Sequence, residues 1–179
     1  PTDSFYTSTD TLGNYEMYLD TGSYQLQLLL NPSYPLWKLQ DCSIPTAIQL
    51  NDGDSAIIDI GLTPTISCTN LTVSLSAPIL RRCFENTYYV NYCNNGTVNA
   101  NNAYIDVTLD HFLDFNASSQ VFTNLGNNVF RFQVGNVETG KCGAFSFTAT
   151  VNCDSTILGQ THCTEAHIFP DTVCSPLPY

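Results

Sequence analysis

Cysteines and histidines are the residues of this chain with reactive chemistry, and their spacing decides what they can do. Eight cysteines occur: Cys42, Cys68, Cys83, Cys93, Cys142, Cys153, Cys163 and Cys174. Zinc and iron–sulfur sites draw thiolates from short fixed spacings, and neither C-x-x-C nor C-x-H occurs. Disulfide bonding is the chemistry that remains, and disulfides persist only in oxidising surroundings. The expectation is a secreted or cell-surface chain with no metal and no cofactor.

The histidines are His111, His162 and His167. His162 and His167 flank Glu165, but strand alternation would send them to opposite faces. His111 follows Asp110 near a turn. No Gly-x-Ser-x-Gly elbow accompanies them, so they read as surface or cavity-edge residues and the chain as no enzyme. Asn51-Asp52-Gly53-Asp54 offers oxygens of the kind calcium takes, yet it lacks the rest of a full loop. Asp-Gly is an ordinary hairpin turn, the reading preferred. The sequons Asn70-Leu71-Thr72, Asn95-Gly96-Thr97 and Asn116-Ala117-Ser118 mark exposed positions in a host that glycosylates asparagine.

Lys and Arg number 5 against 16 Asp and Glu, a net charge of −11. Phosphate backbones and anionic membranes both need clustered cations, so neither is an expected partner. Arg81-Arg82 is the one adjacent basic pair and reads as neutralising surplus carboxylates. No apolar run approaches the roughly 20 residues that cross a bilayer. With no initiator Met or signal pattern, the expectation is a mature or excised piece of something longer.

These residues need elements to hold them, and the pattern is of strands. Low charge with many β-branched and aromatic residues suits a pleated surface. Residues 5–9, 15–19, 24–30, 46–50 and 56–60 alternate with period two. Turns fall at Gly13-Asn14, Thr21-Gly22 and Asn51-Asp54, and two prolines break the run at 31–35. Residues 61–65 read as a linker, giving two domains, 1–64 and 65–179. The second repeats the grammar at 71–75, 88–92, 104–109, 129–134, 145–151 and 166–169, with turns at Asn95-Gly96, Gly126-Asn127, Gly135-Asn136 and Gly140-Lys141. Residues 110–115 read as a short helix candidate. The expected fold is all-β: two consecutive antiparallel β-sandwiches, the second of roughly seven strands.

The run Thr7-Ser8-Thr9-Asp10-Thr11-Leu12-Gly13-Asn14-Tyr15, followed by Asp20-Thr21-Gly22-Ser23-Tyr24, resembles the core of collagen-binding-protein B-type and carboxypeptidase-regulatory-like domains. The resemblance implies a prealbumin-like stalk module that here lacks its first strands. Those strands lie upstream in a longer polypeptide or come from a neighbouring subunit by strand addition. The second segment, Tyr88-Tyr89-Val90-Asn91-Tyr92-Cys93-Asn94-Asn95-Gly96-Thr97 with residues 104–109, resembles DUF11-type Ig-like repeats. Its cysteine-rich texture, with Gly140-Lys141-Cys142-Gly143 and Gly159-Gln160-Thr161-His162-Cys163, is similar to giant surface proteins of filamentous Bacteroidota. That resemblance implies Asp-Ser/Thr modification sites at Thr11, Ser55, Ser155 and Thr172.

An up-and-down order through seven strands would put Cys68, Cys93, Cys153 and Cys163 at one end of the second sandwich. Cys83, Cys142 and Cys174 would lie at the other. Pairing within an end gives Cys83–Cys142, Cys68–Cys163 and Cys93–Cys153, with exchanges inside the first set left open. Cys42 and Cys174 then remain to join one unit to the next. The expected function is structural: a rigid segment of an extracellular stalk, adhesin or appendage whose partners are copies of itself or adjacent domains. The alternative is a binding module that stacks cell-surface glycans on Tyr34-Pro35-Leu36-Trp37.

Overall fold

The computed structural model describes residues 3–10, 12–30, 36–40, 45, 47–171 and 174. Cys42, Thr11, Thr172 and the segment 31–35 lie outside the described residues. The described chain is all-β and divides into two compact units, Pro1–Thr63 and Pro64–Tyr179.

In the first unit, β1 (Gly22–Tyr24) pairs with β3 (Ile48–Leu50), and β2 (Trp37–Leu39) pairs with β4 (Leu62–Pro64). The described residues thus form two short ladders where two packed sheets were expected. Residues 5–9, 15–19 and 56–60 join no ladder, while the supposed linker supplies β4. Side chains still alternate along 15–30, with Tyr15, Met17, Leu19, Tyr24, Leu26, Leu28 and Leu30 half-buried. Outside β1, the period-two pattern therefore governs exposure there without sheet partners. Where Asp10, Gly13 and Asn14 turn the chain, the Asp10 carboxylate accepts the amides of Leu12 and Asn14, and Gly13 adopts φ +86°.

The second unit holds two four-stranded antiparallel sheets. One runs β5 (Leu71–Ser76), β6 (Glu85–Asn94), β11 (Cys142–Val151), β8 (Leu113–Ser118). The other runs β12 (Glu165–Phe169), β7 (Ala100–Thr108), β10 (Val129–Val137), β9 (Phe122–Gly126). Only β5–β6 and β9–β10 connect neighbours in one sheet; the other connections cross between sheets. Inward residues of both sheets, among them Val90, Ile105, Val107, Phe132, Phe147 and Ala149, meet in one core. Aromatic rings organise its middle: Tyr88 stacks on Phe147 at 4.8 Å, and Phe115 on Phe130 at 4.3 Å.

Two sequence readings change here. Residues 110–115 are no helix: the Asp110 carboxylate accepts the Phe112 amide at 2.9 Å, closing a turn that opens directly into β8. Gly135-Asn136 is no turn between strands but an irregularity inside β10, where Gly135 at φ +79° absorbs a register shift against β7. Gly126-Asn127-Asn128 does turn the chain, all three with positive φ, to form the β9–β10 hairpin.

Candidate functional site

The cysteines bind the second unit at both ends. Cys68 pairs with Cys174, Cys83 with Cys153, and Cys93 with Cys142, at Cα separations of 5.6, 4.8 and 4.0 Å. None of the expected pairings, Cys83–Cys142, Cys68–Cys163 and Cys93–Cys153, is present. The reason is strand parity. Four strands, β7 to β10, separate Cys93 from Cys142, so the chain is back at its starting end when it reaches Cys142. Cys142 then lies directly opposite Cys93 in the β6–β11 register. Seven strands would have put it at the other end. Cys174 is no inter-unit thiol; it is buried and its sulfur lies 3.0 Å from the Thr69 carbonyl. Cys163 is free and exposed.

At the Cys68 end, β6 closes on Asn94, which is 0% exposed and fully hydrogen-bonded. Its Nδ2 donates to the carbonyls of Val98 at 2.9 Å and Val137 at 3.0 Å. Its Oδ1 accepts the amides of Gly96 at 3.0 Å and Asn70 at 3.3 Å. One side chain thus ties the start of β5, the β6–β7 loop and the end of β10. Two sequons meet beside it: Asn95 is exposed, donates its amide to the Thr72 hydroxyl at 3.2 Å, and takes the Asn70 carbonyl at its backbone N–H. Asn70 is half-buried, and the Thr97 hydroxyl donates to the Ile66 carbonyl. The third, Asn116, is exposed on β8, with Nδ2 bonded to Glu85 and Thr150. Ser55 and Ser155 are exposed.

At the Cys83 end the structure gathers residues that read separately in sequence. His162 lies in the loop before β12 with its side chain only 6% exposed, and its Nδ1 stands 3.4 Å from Asp110 Oδ1. His111 contributes a 3.7 Å contact to the same carboxylate from an exposed position. Asp110 Oδ2 accepts the Cys163 amide at 3.3 Å. Burial pushes the Asp110 carboxyl up, but the amides of Phe112 and Cys163 and the nearby His162 outweigh it and hold the group below the usual carboxylate range. In sequence Asp110 reads only as the neighbour of His111 near a turn; the fold makes it the residue on which both His111 and His162 converge. The arrangement holds two loops together and leaves one thiol open to solvent. Among the described residues no group of three or more His, Cys, Asp or Glu is placed to hold a metal ion.

The outer face of the β12–β7–β10–β9 sheet carries a cross-strand row, His167 opposite Asp106, Asp106 opposite Arg131, and Arg131 opposite Thr123. Arg131 grips Asp106 through two bonds of 2.8 Å while its guanidinium lies 4.0 Å from the Tyr104 ring centre. Tyr104 stacks on Phe169 at 4.9 Å. The Tyr104 ring is therefore already in contact with both Arg131 and Phe169. An open hollow of about 360 Å³ lies alongside, lined by Asp106, Thr108, Glu165, Ala166 and His167. Among the described residues the ion pairing expected of Arg81-Arg82 is made by Arg131 instead; the Arg81 guanidinium sits 5.7 Å from the Phe84 ring centre.

In the first unit, Asp54 closes its own turn. Its Oδ2 accepts the Asn51 amide at 2.9 Å and side-chain amide at 2.8 Å, and these bonds hold its carboxyl below the ordinary value. Trp37 opens β2 and is half-buried; a hollow of about 370 Å³ is lined by Lys38, Leu39, Gln40 and Thr63, without Trp37. The three disulfides place the chain in an oxidising environment. Set against known proteins, the chain matches no family model and no curated sequence.

Proposed function

We propose that the chain is a structural segment of an extracellular stalk, adhesin or appendage, giving rigid length and contact with copies of itself. One observation supports this above the others. Cys68 precedes β5 and Cys174 follows β12, so a single bond joins the two points where the chain enters and leaves the sandwich. Tension applied to the chain on either side then passes through sulfur, and the chain between the two cysteines, 106 positions apart, carries none of it. Cys93–Cys142 and Cys83–Cys153 hold the two ends of the same sheet. A module under sustained pull gains from this arrangement; a soluble binding domain has no use for the force path.

Single-molecule stretching of the full chain tests it. With disulfides intact the second unit should release no length, and reductant should free about 350 Å of contour, at ~3.4 Å per residue. Release of that length from the oxidised chain would overturn the reading. A second reading, glycan binding, rests on the part-exposed Trp37 at the start of β2. Glycan-array binding abolished by Trp37→Ala would support it.

A further inference from the structure

Each sheet of the second unit ends in two strands with unpaired backbone groups along one side, and such edges recruit other strands unless guarded. Three of the edges here are guarded. β12 carries Glu165 and His167 and is followed by Pro170. β5 lies close to β12 across the open side of the sandwich and runs into Pro78. β8 carries Asp114 and has a register shift against β11. β9 shares only the register shift, against β10, and has neither a charged side chain nor a flanking proline. All five of its residues are exposed, and it pairs with β10 alone among the described residues. Val121, Phe122 and Leu125 stand 75, 39 and 48% exposed.

Charge says what fits there. In a chain of net charge −11, two copies repel over most of their surfaces. The run 115–130, which contains β9, holds no charged residue and no histidine. Arg131, beside Thr123, is already neutralised by Asp106. β5 lies in a run equally free of charge, 60–80, but sits close to β12, so β9 is the open edge on which two copies would meet with little like-charge contact. An antiparallel pair of identical strands also satisfies a two-fold axis with no further complementarity.

We propose that β9 is a strand-addition edge that takes β9 of a second copy, joining two four-stranded sheets into one continuous sheet. The joint covers Val121, Phe122 and Leu125 and pairs the outward amides of β9. It rests on the self-association that forms part of the stalk reading, and names the surface responsible.

The test compares the full chain with Val121→Lys/Leu125→Lys and with a charge-matched control, Ile157→Lys/Leu158→Lys, on a loop where both residues are exposed. Like charges facing each other across an antiparallel joint are destabilising, so the β9 variant should raise the dimer dissociation constant in sedimentation at least about tenfold. The control should leave it unchanged. Hydrogen exchange of residues 121–126 should slow as protein concentration rises. Thermal melts of the variants check that each remains folded. Copies that associate equally well with β9 blocked, or without protection of β9, would overturn the assignment and leave self-association standing. Copies that stay monomeric at every concentration would overturn both.

Discussion

Replacing Asn94 by aspartate changes one atom in a fully buried side chain, and its cost can be worked from the geometry. The two N–H donors to Val98 and Val137 are lost, and a carboxyl oxygen now faces both carbonyls at about the same distances. An ionised carboxylate there meets two carbonyl oxygens with no cation, so the introduced group is held protonated. Protonated, it donates to one carbonyl and strands the other, which costs about 1–3 kcal/mol. Keeping it protonated at about pH 7, roughly three units above an ordinary aspartate value, costs about 4 kcal/mol more. The total, about 5–7 kcal/mol, rivals the stability of a whole domain.

Linkage makes this loss depend on pH in one direction. The folded-state pKa of the introduced carboxyl lies above its unfolded value, so the folded state binds the extra proton. The variant is therefore nearest wild type below about pH 4. It loses about 1.4 kcal/mol per pH unit above that, until the folded pKa is passed. Guanidinium unfolding with disulfides intact, followed by circular dichroism at about pH 4 and about pH 7, measures both limits. A deficit equal at the two pH values, or one below about 1 kcal/mol, would refute the argument, because either result requires water to reach Val98 and Val137.

Asp110 has a folded pKa below its unfolded value, so the stability it adds is present above about pH 4 and lost as pH falls through the folded value; Asp110→Asn should flatten the acid limb of a melting-temperature profile. Gly96→Ala would put a methyl group 2.4 Å from the Cys68 carbonyl oxygen and 2.5 Å from the Asn70 nitrogen. Backbone cannot yield cheaply there, so the variant should melt well below wild type, whereas Gly140→Ala, with no atom near its Cβ, meets only the strain of its φ of +72°. Non-reducing peptide mapping should return Cys68–Cys174, Cys83–Cys153 and Cys93–Cys142, and iodoacetamide should label Cys163 without denaturant.

Most strands of the second unit are legible in the sequence because one face of each is buried. Tyr88, Val90 and Tyr92 point inward and their neighbours outward, a pattern that no helix shares. The same parity reaches Asn94, so the buried asparagine was visible in principle; Asn95-Gly96 beside it drew the reading to a turn instead. β8 and β9 were illegible for opposite reasons. The inward residues of β8 follow a closed Asp110 turn too briefly to establish a period. β9 is exposed along its whole length and has no alternation to detect. In the first unit alternation was equally clear, but alternation reports half-burial, and ladders need partners at the right distance.

The expected count of seven strands, against the eight present, had consequences beyond itself. An antiparallel chain changes ends with every strand, so an error of one strand before Cys142 inverts the position of every cysteine after it. Cys142 and Cys174 belong with Cys68 and Cys93, while Cys153 and Cys163 belong with Cys83. The rule that partners share an end was sound, and all three disulfides obey it. Its input, the parity of the strand count, was the weak step. The correction also moves the functional argument. With Cys174 bonded to Cys68, the covalent lock lies within the second unit and bypasses its fold under load. On the proposed reading, contact between copies falls to β9, an exposed edge strand with neither a charged residue nor a flanking proline.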